Sequence, residues 1–260
     1  MSVPGPAQLF SLEGRVAVVT GASAGLGVSL AEGLGAAGAK LVVAARREDR
    51  LKDLASRLEA DGVECLAAPC DVSQEASIDA LVARTLDRFG RVDVLVNNAG
   101  ITEVVPAQDE TVECFDGVLD VNLRGVFLCA QRFGRPMLEQ GSGVIVNVAS
   151  MLGLVGSGQV PQASYAASKG GVINLTRELA AQWARQGVRV NALAPGWFGS
   201  EMTAEMFESE KSHAWMRNRT PMGRPGREGE LVGALLFLAS DASTFVTGQT
   251  VAVDGGWTIV

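Results

Sequence analysis

The chain alternates short, continuous apolar runs with longer amphipathic stretches. Residues 15–20 (RVAVVT), 40–45 (KLVVAA), 63–68 (VECLAA), 92–96 (VDVLV), 144–148 (VIVNV) and 188–193 (VRVNAL) are the apolar runs. Runs this short and this apolar predict strands buried on both faces, and the stretches between them predict helices with one apolar face. The alternation therefore predicts an α/β domain: a doubly wound parallel sheet in three layers, with helices on either side. A chain of 260 residues that is 47% hydrophobic can bury one large core, so a single domain is expected. It is assigned to residues 12–260. Residues 1–11, with Pro4, Gly5 and Pro6, read as a flexible N-terminal arm.

The first strand runs directly into Gly21-Ala-Ser-Ala-Gly25-Leu-Gly27, and an amphipathic stretch then extends to Ala37 before Gly38. Strand, glycine turn and helix form the arrangement in which backbone N–H groups at a helix N-terminus receive a pyrophosphate. The second strand follows at β-α-β spacing, which points to a dinucleotide site. Its end reads Ala44-Ala45-Arg46-Arg47. A carboxylate there would accept the ribose hydroxyls of NAD, whereas arginine accommodates a 2′-phosphate. With no carboxylate at this strand end, NADP(H) is the expected cofactor and NAD the alternative.

Tyr165-Ala-Ala-Ser-Lys169 places a phenol and an ammonium four residues apart in a helix-forming stretch, hence on one helix face. A positive charge beside a phenol favours the phenolate, so Tyr165 is a candidate for passing a proton to or from a hydroxyl. Alone, such a pair reads as a surface tyrosine with a solvated lysine. Its company decides otherwise. The strands lead to Asp71, to Asn97 and Asn98, to Ser150, and to Pro195-Gly196. In a parallel sheet these strand ends share the carboxyl edge, where ligands bind. Asn, Asp, Ser, Gly and Pro are also common turn residues, which explains each turn singly but not their convergence with a Tyr–Lys pair.

The spacing T-G-x-x-x-G-x-G at residues 20–27, Asp71-Val72, Asn97-Asn98-Ala99-Gly100, Asn122, Ser150, Tyr165-x-x-x-Lys169, Pro195-Gly196 and Val253-Asp254-Gly255-Gly256 occur in order. In these the chain resembles the classical short-chain dehydrogenases/reductases, from about Leu12 to the C-terminus. The resemblance implies a Rossmann-like fold and hydride transfer between a nicotinamide cofactor, NADP preferred, and a small-molecule ketone or secondary alcohol. It implies that Tyr165 is the general acid or base, Ser150 hydrogen-bonds the substrate oxygen, Lys169 binds the nicotinamide ribose and lowers the tyrosine pKa, and Asn122 holds a water in a proton relay. It also implies cofactor contacts from Gly21, Ser23, Ala24, Gly25, Leu26, Gly27, Arg46, Arg47, Asp71, Val72, Asn98, Ala99, Gly100, Tyr165, Lys169, Pro195, Gly196, Phe198 and Ser200. Two departures stand out. Ala24 sits where many NADP-preferring relatives carry a second basic residue. Fourteen residues, among them Gly153, Gly156, Gly158 and Pro161, separate Ser150 from Tyr165, about two more than is usual, which predicts an enlarged loop beside the substrate. The alternatives are an NAD-dependent alcohol or sugar-acid dehydrogenase and a non-catalytic redox sensor. A sensor has no need of Asn122, Ser150, Tyr165 and Lys169 together.

A formal charge of −7 argues against a nucleic-acid partner, since phosphate backbones need clustered Lys and Arg, and here Arg46, Arg47 and Arg50 are the one basic cluster of note. No uncharged stretch is long enough to span a bilayer, so no membrane partner is expected. Cys65, Cys70, Cys114 and Cys129 form no C-x-x-C pair and His213 is the single histidine, so no metal site is expected. Scattered thiols fit a reducing cytoplasm. Trp197, Phe198, Met202, Met206, Phe207, Trp215 and Met216, interrupted by Glu201, Glu205, Glu208 and Glu210, give residues 199–220 two readings: a helix packed on the core, or a mobile lid. His213 within it reads as a packing or surface residue. The apolar C-terminus, with Trp257, Ile259 and Val260, would be a sticky end if exposed, and a homotetramer, with a dimer as fallback, is the expected way to cover it.

Overall fold

The computed structural model describes residues 4–260, so the first three positions of the N-terminal arm lie outside it. The remainder of the arm contains one short helix, α1 (Pro6–Phe10). From there strands and helices alternate: β1 (Val16–Thr20), α2 (Leu26–Ala36), β2 (Lys40–Ala45), α3 (Glu48–Ala60), β3 (Cys65–Pro69), α4 (Glu75–Phe89) and β4 (Val94–Asn97). Helix α5 (Val112–Leu119) passes through a π-helical turn at Asp120–Arg124 into α6 (Gly125–Gln140), followed by β5 (Gly143–Val148), α7 (Ala163–Trp183) and β6 (Val188–Pro195). The chain closes with α8 (Ala204–Glu208), α9 (Glu210–Arg219), α10 (Val232–Ala239) and β7 (Thr250–Val253). The six apolar runs all become strands, with ends shifted by up to two residues. Strand β7 was not foreseen from the sequence. It lies at the sheet edge, where its residues are only partly covered, and its apolar run is short, Val251-Ala-Val253.

The sheet order is β3-β2-β1-β4-β5-β6-β7 and every pairing is parallel. The order reverses between β1 and β4, where the chain crosses from one half of the sheet to the other. Such a crevice at the carboxyl ends of the strands is where open α/β sheets bind ligands.

Period-two alternation divides the interior strands between two cores. Ala17 and Val19 of β1 join Leu30 and Leu34 of α2, Leu51 and Leu54 of α3, and Leu235 and Leu238 of α10. Val16 and Val18 face the opposite side, with Ile78 and Leu81 of α4, Phe133 and Met137 of α6, and Leu179 of α7. A buried polar ladder crosses this second layer. Asn97 Nδ2 donates to Asn147 Oδ1 at 2.9 Å, Asn147 Nδ2 to Thr176 Oγ1 at 2.9 Å, and Thr176 Oγ1 to the Val172 carbonyl at 2.8 Å. β4, β5 and α7 are thereby pinned in register.

Because removing one partner of a buried polar pair costs about 1–3 kcal/mol, Asn147→Ala, which leaves Asn97 Nδ2 only the Val126 carbonyl at 3.5 Å and takes from Thr176 Oγ1 one of its two partners, is expected to lower the melting temperature by several degrees. Thermal unfolding followed by circular dichroism checks this, and an unchanged melting temperature would show that the ladder contributes nothing.

Candidate active site

A groove of about 450 Å³ opens at the carboxyl edge of the sheet, beside the crossing between β1 and β4. Every residue expected from the sequence to contact a cofactor lines it: Gly21, Ser23, Ala24, Gly25, Leu26 and Gly27 of the glycine turn; Arg46 and Arg47 after β2; Asp71 and Val72 after β3; Asn98, Ala99 and Gly100 after β4; Tyr165 and Lys169 of α7; and Pro195, Gly196, Phe198 and Ser200 after β6. Asp71 is held in place by accepting hydrogen bonds from the Ser73 backbone N–H and hydroxyl at 3.0 and 2.8 Å.

The glycine turn fits a phosphate group because side chains are excluded from it. A Cβ on Gly27 would lie 2.3 Å from the Gly21 carbonyl oxygen, and one on Gly21, whose φ is +67°, would lie 2.7 Å from Ala99 Cα. Asn98 Nδ2 donates to the Thr20 and Gly21 carbonyls at 3.0 and 3.1 Å, while Thr20 Oγ1 accepts from the backbone N–H groups of Asn98 and Ala99. The turn is thus fastened to the end of β4. Thr20 was not foreseen as a site residue; its hydroxyl works only because β1 and β4 are neighbours.

On the facing wall, α7 presents Tyr165 and Lys169. The ammonium of Lys169 lies 5.5 Å from the tyrosine ring centre and donates to the Val148 carbonyl at 2.8 Å. With the side chain buried, loss of water lowers its pKa to about 8. Burial also raises the Tyr165 phenol above its ordinary value, and a hydrogen bond with Ser150 pulls it back only in part. The expectation that Lys169 depresses the tyrosine pKa is not met in this arrangement: desolvation outweighs the Ser150 hydrogen bond, and the ammonium is turned to the Val148 carbonyl. Ser150 Oγ accepts from the Leu152 backbone N–H at 3.1 Å, which fixes its direction. The long loop after Ser150 still grips α7 closely, since a Cβ on Gly153 would lie 2.6 Å from the Lys169 carbonyl carbon.

Asn122 lies behind the groove, fully buried in the π-helical turn, and does not line the groove. Its Oδ1 accepts from the Ile101 N–H, and its Nδ2 donates to the Ile101 carbonyl, each at 2.8 Å, and to Ser168 Oγ at 3.1 Å. A Cβ on Gly100 would be 3.3 Å from Asn122 Oδ1 and 3.5 Å from Lys169 Nζ, so the two polar side chains converge on this glycine.

The arginine end of the groove holds a residue that sequence reasoning missed. Arg47 donates to Ser23 Oγ from Nε and Nη2 at 3.2 and 3.1 Å, and to Glu201 Oε2 at 2.8 Å. Arg50 donates to the other oxygen of the same carboxylate. The strand end lacks a carboxylate of its own, as the sequence shows, but the fold supplies one from 154 residues away. Arg47 first and Arg50 second hold the Glu201 carboxyl below the usual carboxylate range.

Beyond the groove, Met206, Phe207, Trp215 and Met216 of α8 and α9 pack with Met151, Leu152, Trp197, Trp257 and Tyr165. Trp197, Trp215 and Trp257 meet edge to face at 5.0–5.7 Å. Trp257 is fully buried within its own chain, which corrects the expectation that it belongs to an exposed end; Ile259 and Val260 are exposed. His213 packs edge-on against Phe207, 5.2 Å between centres. The four cysteines are free, and no metal-binding cluster occurs among the described residues. Among the described residues, no helix is long and apolar enough to cross a membrane.

Comparison with known proteins agrees with this geometry. Residues 21–258 match the family model described as enoyl-(acyl carrier protein) reductase. The gluconate 5-dehydrogenase of Gluconobacter oxydans is 43% identical over 96% of this chain and 97% of its own length. The 5-keto-D-gluconate 5-reductase of Escherichia coli K12 is 40% identical over 95% and 97%. The crystal structure of a gluconate 5-dehydrogenase from Burkholderia cenocepacia in complex with NADP and tartrate superposes with a TM-score of 0.95 at 40% identity, covering 98% of this chain and all of that one. With matches this extensive over a glycine-turn groove faced by serine, tyrosine and lysine, the chain belongs to the short-chain dehydrogenase/reductase family.

Proposed function

We propose that this chain is an NADP(H)-dependent oxidoreductase that interconverts a polyhydroxylated secondary alcohol or sugar acid with its ketone, with Tyr165 carrying the proton. The observation behind the reading is the meeting, in one groove, of Ser150, Tyr165 and Lys169 with the arginines after β2. The cofactor, when bound, supplies or accepts the hydride at the carbinol carbon. Ser150 and Tyr165 hold the substrate oxygen between two hydroxyl donors, where negative charge grows during reduction. Tyr165, a phenol protonated at neutral pH, gives its proton to that oxygen and takes it back in oxidation. Lys169 binds the ribose and resupplies the proton, and Asn122 secures the inner end of that relay beside Gly100. Arg46 and Arg47 receive the 2′-phosphate. The polyhydroxylated substrate is supported by the names of the relatives. A second reading, an apolar ketone, is favoured by the cluster of Met151, Leu152, Trp197, Met206 and Phe207 around Tyr165.

The assembly is a homotetramer, supported by exposed Ile259 and Val260 at a C-terminus that carries no charged side chain over its last six residues. Free thiols are consistent with a cytoplasmic location.

Replacing Tyr165 by Phe keeps the ring and removes the transferable proton, so turnover is expected to fall at least ~10²-fold with NADPH binding nearly unchanged. Oxidation of NADPH in the presence of 5-ketogluconate, followed by absorbance, checks this; near-normal turnover in Tyr165→Phe sinks the proton-carrier role, and preference for an apolar cyclic ketone favours the second reading. A pH signature accompanies Lys169. Below about pH 8 the folded and unfolded chains both hold its proton and the burial penalty is complete. Between about 8 and its ordinary 10.5 only the unfolded chain does, so stability gains a contribution that rises with pH across this window. Comparing melting temperatures across it, Lys169→Met should lack this contribution; parallel curves for the two proteins refute it. Light scattering at micromolar concentration should report about four times the 27.1 kDa chain mass, and a stable, active monomer contradicts the tetramer.

A further inference from the structure

Glu201 stands at the first turn after β6, where the chain leaves the sheet for α8 and α9. Its two carboxylate oxygens are divided between Arg47 and Arg50, which sit at the start of α3. The preceding residue, Ser200, lies over the glycine turn, its Cβ only 3.0 Å from where a Cβ on Gly25 would stand. The root of the 199–220 segment is therefore drawn across the groove and fastened at the arginine end. A guanidinium has a limited set of N–H donors in a fixed plane, and a phosphate seeks the same donors in the same bidentate way as a carboxylate. Arg47 already directs Nη2 at both Ser23 and Glu201. A phosphate placed there has to displace the carboxylate.

We propose that Glu201 is a specificity-determining residue: an intramolecular occupant of the 2′-phosphate seat that must leave Arg47 and Arg50 when NADP(H) binds and need not leave when NAD(H) binds. This rests on the reading of Arg47 as the 2′-phosphate partner. The clasp subtracts from the preference for the phosphorylated cofactor, and its release by that cofactor unfastens the root of the 199–220 segment from α3. Exposed ion pairs are individually weak, so a carboxylate shared by two arginines is expected to weaken phosphate binding by roughly three- to tenfold.

The test is calorimetric titration with two fragments, 2′,5′-ADP and 5′-AMP, which differ only in the phosphate at issue. Glu201→Gln should bind 2′,5′-ADP about three- to tenfold more tightly than the unaltered chain does, with 5′-AMP changed less than about twofold. In an Arg47→Ala/Arg50→Ala background the same change should have less than a twofold effect, because the competed donors are gone. Glu205→Gln, in the same segment, controls for net charge and should have no comparable effect. An unchanged or weaker affinity of Glu201→Gln for 2′,5′-ADP, or an equal gain in Glu205→Gln, overturns the proposal while leaving the cofactor reading in place. Equal binding of the two fragments by the unaltered chain, with Arg47→Ala silent, overturns the cofactor reading and the role of Glu201 with it.

Discussion

Parallel pairing constrains everything else in this molecule. Two parallel strands cannot be joined by a hairpin, so each connection must return along the sheet, and every strand then ends at the same edge. All six pairings here are parallel. The residues that follow β1, β2, β3, β4, β5 and β6 therefore arrive at one rim from six separate parts of the sequence. The reversal between β1 and β4 opens that rim into a groove, and Asn98 and Thr20 fasten its two sides. The site is thus a consequence of the sheet's connectivity before any particular side chain is considered.

Within that rim the buried polar groups serve placement as much as chemistry. The Asn97–Asn147–Thr176 ladder fixes α7 against β4 and β5, and α7 carries both Tyr165 and Lys169. Lys169 gives up water for a single backbone acceptor, the Val148 carbonyl. A charge buried with so little compensation is poised to lose its proton, which is why its pKa falls to about 8 instead of remaining that of a solvated lysine. Desolvation raises the Tyr165 phenol above its ordinary value at the same wall of the groove. Burial thus moves the two groups in opposite senses: it brings Lys169 toward neutral pH and takes the Tyr165 phenol further from it, whereas the charge pairing read from the sequence would have lowered the tyrosine.

The segment after β6 is held by two unlike attachments. At its far end, Trp215 and Met216 are anchored in an aromatic cluster with Trp197 and Trp257, an apolar contact insensitive to ligand charge. At its root, Glu201 is held by arginines on the protein surface, an attachment that salt and phosphate can compete for. Of the two readings of residues 199–220 offered by the sequence, packing on the core has its counterpart in Met216 of α9, while the root of the segment crosses the groove at Ser200.

How much of this was legible in the sequence follows from how local each cause is. Six strands were readable because each carries an apolar run: five of them are interior and must be apolar on both faces, and β3, at an edge, keeps enough of such a run to be recognised. The groove residues were readable because each directly follows such a run, and because glycine spacing and the Tyr–Lys pair at helical separation are local facts. Strand β7 was harder to read because its apolar run, Val251-Ala-Val253, is shorter than the others and stops at Asp254. Three further features were decided by tertiary structure alone. Burial, which no residue type encodes, reversed the direction of the tyrosine shift. Packing against Trp197 and Trp215 took Trp257 out of the exposed C-terminus. Glu201 reached Arg47 across 154 residues, because an ion pair is chosen by which side chains the sheet edge brings together, and that distance in space is set by the whole fold and by no stretch of sequence.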